Sequence, residues 1–433
     1  MIKSSPASLV ITAVIAALGL GAGIIIGYLL RAPPEEGQSG GIHGNLKPPG
    51  LTYGEGNGSL ADVLKQCRRS SSDDPAIRNY LLEAEVEACH AANCQVDLPR
   101  VYVVYKLDTG HIDIDGKLDE RAWEDVAWSE PFTDIKGGDT NPPRFETKIK
   151  LRWDDQNLFV GAYIQEFAVW ANKTLHDTTI YQDNSFQVLL DTSQSNHKYK
   201  EISINALGTI ADLMLTRPYM DDGEPLNFWE SELARAVYID GPINDPTRRN
   251  KFWTVEMAIP FKQLYAGLGR GNDIPVDRET WRANFVRSEW QTEIVGSKYL
   301  KRLDTDADWW VWQSPGVSNI HLPDKWGLIQ FRDVPINSTT FQPDKKWVTT
   351  NALLDVYRAE KAYKAVTGRY TIKKELLRLP PYVLSQRCIR DLDIQLDWGG
   401  FRVTARPAEE FLEDGHTRTD RFVWFGDKKE DFF

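Results

Sequence analysis

The 433-residue chain lacks a basic stripe: 51 lysines and arginines stand against 62 acidic residues, for a net charge of −11. That argues against a nucleic-acid partner, because a phosphate backbone is held by clustered cations. The familiar catalytic signatures are missing as well. There is no Gly-x-Ser-x-Gly elbow, no His-Glu-x-x-His helix and no Gly-x-x-x-x-Gly-Lys loop. The run Gly267-Leu268-Gly269-Arg270-Gly271 is glycine-rich, but its third glycine comes one residue early and no clear helical pattern follows, so it reads as a loop. The seven histidines are scattered, with no two at metal-ligand spacing. Cysteine is scarce. Cys67, Cys89, Cys94 and Cys388 include no Cys-x-x-Cys pair, which argues against structural zinc. An even number permits full oxidation in three pairings, of which Cys89–Cys94 is the least expected, since five residues along a helix turn the two side chains apart. Buried free thiols are the alternative.

What the chain does have begins with an uncharged apolar run, residues 8–30, SLVITAVIAALGLGAGIIIGYLL. It is long enough to span a bilayer and longer than the roughly 7–15 apolar residues of a signal peptide. Residues 1–31 therefore read as a signal anchor. Asn57, Asn172 and Asn337 each open an Asn-x-Ser/Thr acceptor for glycosylation. Together with the cysteines they point to a single-pass membrane protein with the bulk of the chain lumenal or extracellular. Residues 32–59, rich in Pro and Gly, form a flexible stalk, and 60–99 carry helical spacing and three cysteines, which suggests a small helical hairpin.

From about residue 100 to 335 the pattern is of strands. Thr147, Ile149, Leu151 and Trp153 alternate with basic residues, a turn at Asp154–Asn157 follows, and the chain returns over 158–164. Further strands are expected at 186–191, 199–205, 236–239, 252–259, 282–290, 309–312 and 327–331. The long connections, 167–183 and 219–233, are where a site would be built. Residues 336–433 read as a small α+β domain, with a helix over 351–365 and short strands at 394–396 and 401–405. Twelve of the fifteen tryptophans fall between Trp123 and Trp326. Most must be core, yet an indole also offers a flat face suited to a sugar ring. In DADWWVWQSPG (306–316) strand alternation puts Trp310 and Trp312 on one face and Trp309 on the other; we assign the pair to packing and Trp309 to exposure. Glu201, Glu256 and Glu289 lie in strands, so the paired carboxylates of glycoside hydrolysis are conceivable, but strand carboxylates are usually solvated surface and nothing in the sequence shows two of them converging. Asp113, Asp115 and Asp119 offer oxygens to calcium, or simply make a solvated turn.

Five stretches then occur in order: Ile114-Asp115-Gly116-Lys117-Leu118-Asp119-Glu120-x-x-Trp123, Lys150-Leu151-Arg152-Trp153-Asp154-Asp155, Asp183-Asn184-Ser185-Phe186-Gln187-Val188, Trp253-Thr254-Val255-Glu256-Met257-Ala258-Ile259-Pro260 and Pro323-Asp324-Lys325-Trp326-Gly327. Over residues 108–333 the chain resembles carbohydrate-binding module family 9. The resemblance implies a mainly β fold, a jelly-roll-like antiparallel β-sandwich, often calcium-bearing, that binds a sugar without cleaving it. It also implies a sugar held between two aromatic rings with a Glu, an Arg and an Asn beside them. Those positions fall here at Tyr181, Gln187, Ser203 and Asn205, with the second ring near Ile320. The expected site is therefore Tyr181, Gln187 and Asn205, with Trp170 and Trp309 as added aromatic surface. The implied function is non-catalytic glycan binding by a membrane-tethered module. Two alternatives stand beside it: a protein-interaction scaffold that kept the fold, or a part in polysaccharide catabolism, although no segment is left for a catalytic barrel of about 250 residues. The sequence leaves the oligomeric state open.

Overall fold

The structure is a computed structural model and describes residues 94–427 except 109, 139–141 and 270–273. The apolar run at 8–30, the stalk, the helical hairpin, Asn57, Cys67 and Cys89 lie outside the described residues. Among the described residues no helix is long and apolar enough to cross a membrane.

Among the described residues fifteen strands precede the C-terminal region: β1 (Val101–Lys106), β2 (Thr133–Asp134), β3 (Thr147–Trp153), β4 (Asn157–Gln165), β5 (Ser185–Asp191), β6 (Tyr199–Asn205), β7 (Ile210–Leu215), β8 (Pro225–Leu226), β9 (Ala234–Ile239), β10 (Phe252–Pro260), β11 (Thr280–Glu289), β12 (Thr292–Val295), β13 (Lys298–Lys301), β14 (Asp308–Val311) and β15 (Gly327–Arg332). All but β12 and β13, which pair with each other, join one sheet in the order β8-β7-β6-β5-β11-β15-β1-β3-β4-β10-β9, with β14 on β11 and β2 on β14. The expected hairpin is present. Asp154 turns the chain between β3 and β4 by accepting the N–H groups of Gln156 and Asn157, both at 2.7 Å. The sheet curls until its halves face each other: Phe186, Val188 and Ile202 from β5 and β6 share one buried cluster with Leu151, Val160, Val255 and Met257 from β3, β4 and β10.

The sandwich is not purely antiparallel, which corrects the expectation. β1 lies between the two halves and runs parallel to both β15 and β3. Side-chain alternation is the same in parallel and antiparallel strands, so the pattern of residues 101–106 carried no sign of direction. Strands β1, β2, β7, β8, β12 and β13 were themselves not among the expected ones.

The C-terminal region packs helix α3 (Trp347–Thr367), which follows two short helices, α1 (Arg121–Glu124) and α2 (Phe261–Leu264), against an antiparallel sheet of β16 (Ile389–Asp397), β17 (Gly400–Pro407), β18 (Gly415–Arg418) and β19 (Val423–Phe425). Gly368, at φ 78°, ends α3 in the left-handed conformation. Among the described residues Cys94 and Cys388 form a disulfide, across a sequence separation of 294. Val96, beside Cys94, packs on the cluster of α3 and β16–β17. A buried ionic network joins this region to the sandwich. Arg421 donates to Asp221 at 3.0 Å and to Asp324, while the Tyr357 hydroxyl donates to Asp221.

Candidate functional site

Strand parity divides the half-sheet of β7, β6, β5, β11 and β14 into two faces. Phe186, Val188, Ile202, Ile204 and Phe285 point into the sandwich. The outward residues of neighbouring strands align by register: Ser203 opposes Gln187, Gln187 opposes Val286, and Val286 opposes Val311. Glu201 and Leu189 form the next rung. A second, smaller cluster with Leu189, Tyr199, Leu215, Val286, Ile320 and Trp326 covers part of this outer face, and Trp309 packs against its edge. The tryptophan triplet thus divides as expected, with Trp310 and Trp312 fully buried inside and Trp309 half-buried outside.

Tyr181 stands beside Trp309, ring centroids 6.3 Å apart and planes tilted by 37°. It is 43% exposed. Three anchors place it. Ile180 is buried before it, and the Trp290 Nε1–H and Lys301 Nζ donate to the carbonyls of Tyr181 and Gln182, both at 2.9 Å. Behind it the Asp183 carboxylate accepts the N–H groups of Asn172 at 2.8 Å and Lys173 at 2.7 Å, and the Asn205 Nδ2–H at 3.0 Å. The long connection is therefore folded back on its own carboxylate and presents Tyr181 outward.

Along the same face, His321 touches three groups. Its Nδ1 lies 3.2 Å from the Tyr199 hydroxyl, its Nε2 lies 3.9 Å from Glu201 Oε2, and its ring meets Tyr219 edge-on at 4.7 Å. Burial pushes His321 down to about 4, so the imidazole is neutral at pH 7. Burial pushes the Glu201 carboxyl up to about 7, against a weaker lowering by the Ser203 hydroxyl at 3.5 Å. Tyr219, 45% exposed, is raised to about 12 by burial and then by the charges of Glu201 and Tyr181. Gln187 is nearly inaccessible, and its Oε1 has no hydrogen-bond partner among the described residues. Gln187, expected at the site, is thus closed to a ligand by burial, whereas the half-exposed rings and the titratable carboxyl of this outer face can stack on a flat apolar ligand and hydrogen-bond its hydroxyls.

Several expected residues serve otherwise. Asn205 is wholly buried, and both ends of its amide are taken: Nδ2 donates to Lys173 O and Asp183, while Oδ1 accepts from Leu207 and Thr209, each at 3.1 Å. It secures the loop and has nothing left for a ligand. Trp170 is not aromatic surface. It is 3% exposed, because its neighbours Val169 and Ala171 are bound by the side chains of Asn250 and Asn244. At the place of the second ring, Ile320 packs into the cluster that covers the outer face, and His321 follows it on the site. Sequence reasoning missed Tyr219 and His321, which arrive on loops. Glu201 was singled out only as a carboxylate for hydrolysis; the signal that could have put it at this site is its place two residues from Ser203, on the same face.

The calcium trio does not assemble. Asp113 pairs with His111, Asp119 is exposed, and only Asp115 joins a group, with Glu120 and Glu256. In that group Glu256 already accepts Trp123 Nε1–H at 2.8 Å and the N–H groups of Asp115 and Gly116 at 3.0 Å, whereas the buried Glu120 Oε2 has no hydrogen-bond partner among the described residues. Glu289 is likewise occupied, accepting Arg287 Nη2–H at 2.8 Å inside the sandwich. Glu256 and Glu289 are thus bound away from Glu201, and the three strand glutamates make no hydrolytic pair. Asn172 and Asn337 are both exposed.

Residues 114–209 match the family described as "Carbohydrate family 9 binding domain-like". Among solved structures the chain is similar to a family 9 carbohydrate-binding module from Caldicellulosiruptor kristjanssonii in complex with cellotriose, at 16% identity and a TM-score of 0.36, covering 57% of this chain and all of that one. It is also similar to a putative carbohydrate-binding protein from Bacteroides uniformis, at 14% identity and a TM-score of 0.41, covering 54% of this chain and all of that one. No curated protein matches the chain. The matched segment, residues 114–209, carries Tyr181, Gln187, Glu201 and Ser203 and is what this chain shares with that family.

Proposed function

We propose that the outer face of β5, β6, β11 and β14 binds a glycan without cleaving it, with Tyr181 and Trp309 as the stacking surface and Glu201 and His321 as hydrogen-bonding partners. One observation carries this reading: the aromatic position expected from the family resemblance and the exposed member of the tryptophan triplet meet side by side, although 128 positions separate them in sequence. Full-length protein in affinity electrophoresis against soluble polysaccharides should be retarded. A Tyr181→Ala, Trp309→Ala double variant should lose roughly tenfold or more in affinity, in line with about 1–3 kcal/mol for a stacked aromatic contact. Undiminished binding by the double variant would move the site elsewhere.

The scaffold reading is favoured by the same residues: Gln187 and Ser203 replace charged family positions, and Asn205 is consumed by its loop. Failure to bind any saccharide on a broad glycan array would select it. The reading further places the module in the lumen or outside the cell, tethered through residues 8–30. The support is the length of that run and the Cys94–Cys388 disulfide, which suits an oxidising compartment. Release of the protein from membranes by alkaline carbonate would refute the tether. Calcium, as an implied group, would be held by Asp115, Glu120 and Glu256, and a melting temperature indifferent to chelator would remove it.

A further inference from the structure

A second group of side chains gathers at β7: Asp212 lies in the strand, and His176 and Glu230 come from the loops before β5 and after β8. His176 extends from the loop before Tyr181, and its Nε2 is 3.1 Å from Glu230 Oε2, 3.4 Å from Asp177 Oδ1 and 3.6 Å from Asp212 Oδ1. One ligand atom from each of His176, Asp212 and Glu230 lies within 4.8 Å of the others. Asp212 is the informative member. Its side chain is 1% exposed. One oxygen accepts the Ser231 N–H at 2.6 Å, but Oδ1 is buried, has no hydrogen bond among the described residues and is aimed at the imidazole. A buried carboxylate oxygen without a donor is costly. A single Nε2–H can satisfy only one of the three facing carboxylates. One divalent cation would serve all of them.

The donor set narrows the ion. One imidazole nitrogen with carboxylate oxygens suits zinc and its first-row neighbours, whereas calcium and magnesium take all-oxygen shells. We propose that His176, Asp212 and Glu230, with Asp177 at the rim, form a binding site for a divalent first-row transition ion. Such an ion would tie the loop leading to Tyr181 and the segment around Trp229 to β7. Trp229 already anchors that segment through its buried ring and an Nε1–H bond to Gln263 O at 3.1 Å. The three ligands come from distant stretches, so no local spacing announces them. The site is separate from the sugar-facing surface and does not depend on that reading.

The probe is zinc sulfate, added to chelator-stripped full-length protein and followed by equilibrium dialysis with metal analysis. Wild type should hold one zinc equivalent more than His176→Ala. In Asp212→Asn that equivalent should bind at least the roughly 10–100-fold more weakly that loss of a metal site's support costs. His176→Ala removes an exposed side chain, so circular dichroism should show it folded even where Asp212→Asn is destabilised. Equal zinc stoichiometry and affinity in wild type and His176→Ala would overturn the site. Displacement of this equivalent by an equal concentration of calcium would overturn the choice of a transition ion.

Discussion

The two faces of β14 carry the same residue type and put it to opposite uses. Inside, Trp310 clusters with Phe145 and the Arg287 guanidinium, and Trp312 presses on Phe285 and on Gly327, where a Cβ would come within 2.4 Å of the ring. Outside, Trp309 meets only the edge of a small cluster and the half-exposed Tyr181. A tryptophan is therefore core or candidate ligand surface according to strand parity and to what the facing loop delivers. The largest expected effect tests this division. Trp312→Ala should cost about 3–5 kcal/mol in chemical denaturation, as for other large-to-alanine core changes. Trp309→Ala should stay within about 1 kcal/mol and act on binding instead. Similar stability losses in the two variants would erase the distinction between the faces.

Asn205 sharpens the same comparison, because it lies on the outer face yet behaves as interior. Its four hydrogen bonds hold the loop that presents Tyr181. Asn205→Ala leaves Asp183 short of one donor and strands two backbone N–H groups, a loss of about 1–3 kcal/mol. Glycan affinity should fall with it, as a consequence of the released loop. Loss of affinity at an unchanged melting temperature would restore Asn205 to direct ligand contact.

The local parts of this architecture were legible because they depend on alternation and turns. The hairpin of β3 and β4, the strands at 185–191 and 199–205, and the split of the tryptophan triplet follow from period two and from Asp-rich turns. The parallel placement of β1 was not, since direction leaves no mark on side-chain alternation. Helix α3 was expected over 351–365 and extends to 347–367, its end fixed by Gly368. At the site, Tyr181 and Trp309 were legible by resemblance and by parity. Tyr219 and His321 were not, because their loops are held by contacts far away in sequence. Tyr219 precedes Asp221 and His321 precedes Asp324, and both carboxylates accept Arg421 of the C-terminal region. Breaking so buried a network leaves uncompensated charge, and no local pattern could have shown it.

The smallest effect expected is also the most specific to the proposed site. Burial holds the Glu201 carboxyl near 7 instead of its usual 4.5, while His321 beside it, down at about 4, stays neutral. With the folded value raised, the stability contributed by Glu201 is fully present below about pH 4.5 and is lost as pH rises through about 7. Glu256, also raised to about 7 by burial, adds a loss of the same sign, so stability alone cannot report on Glu201. Binding can. Above about 7 the ionised carboxylate accepts from sugar hydroxyls, and such charge-assisted bonds are roughly twice as strong as neutral ones. Glycan affinity should therefore climb modestly between mildly acidic and mildly alkaline pH. Glu201→Gln should flatten that climb while leaving the stability trend due to Glu256. A variant with the wild-type binding profile would place the titrating group elsewhere and remove Glu201 from the outer-face site.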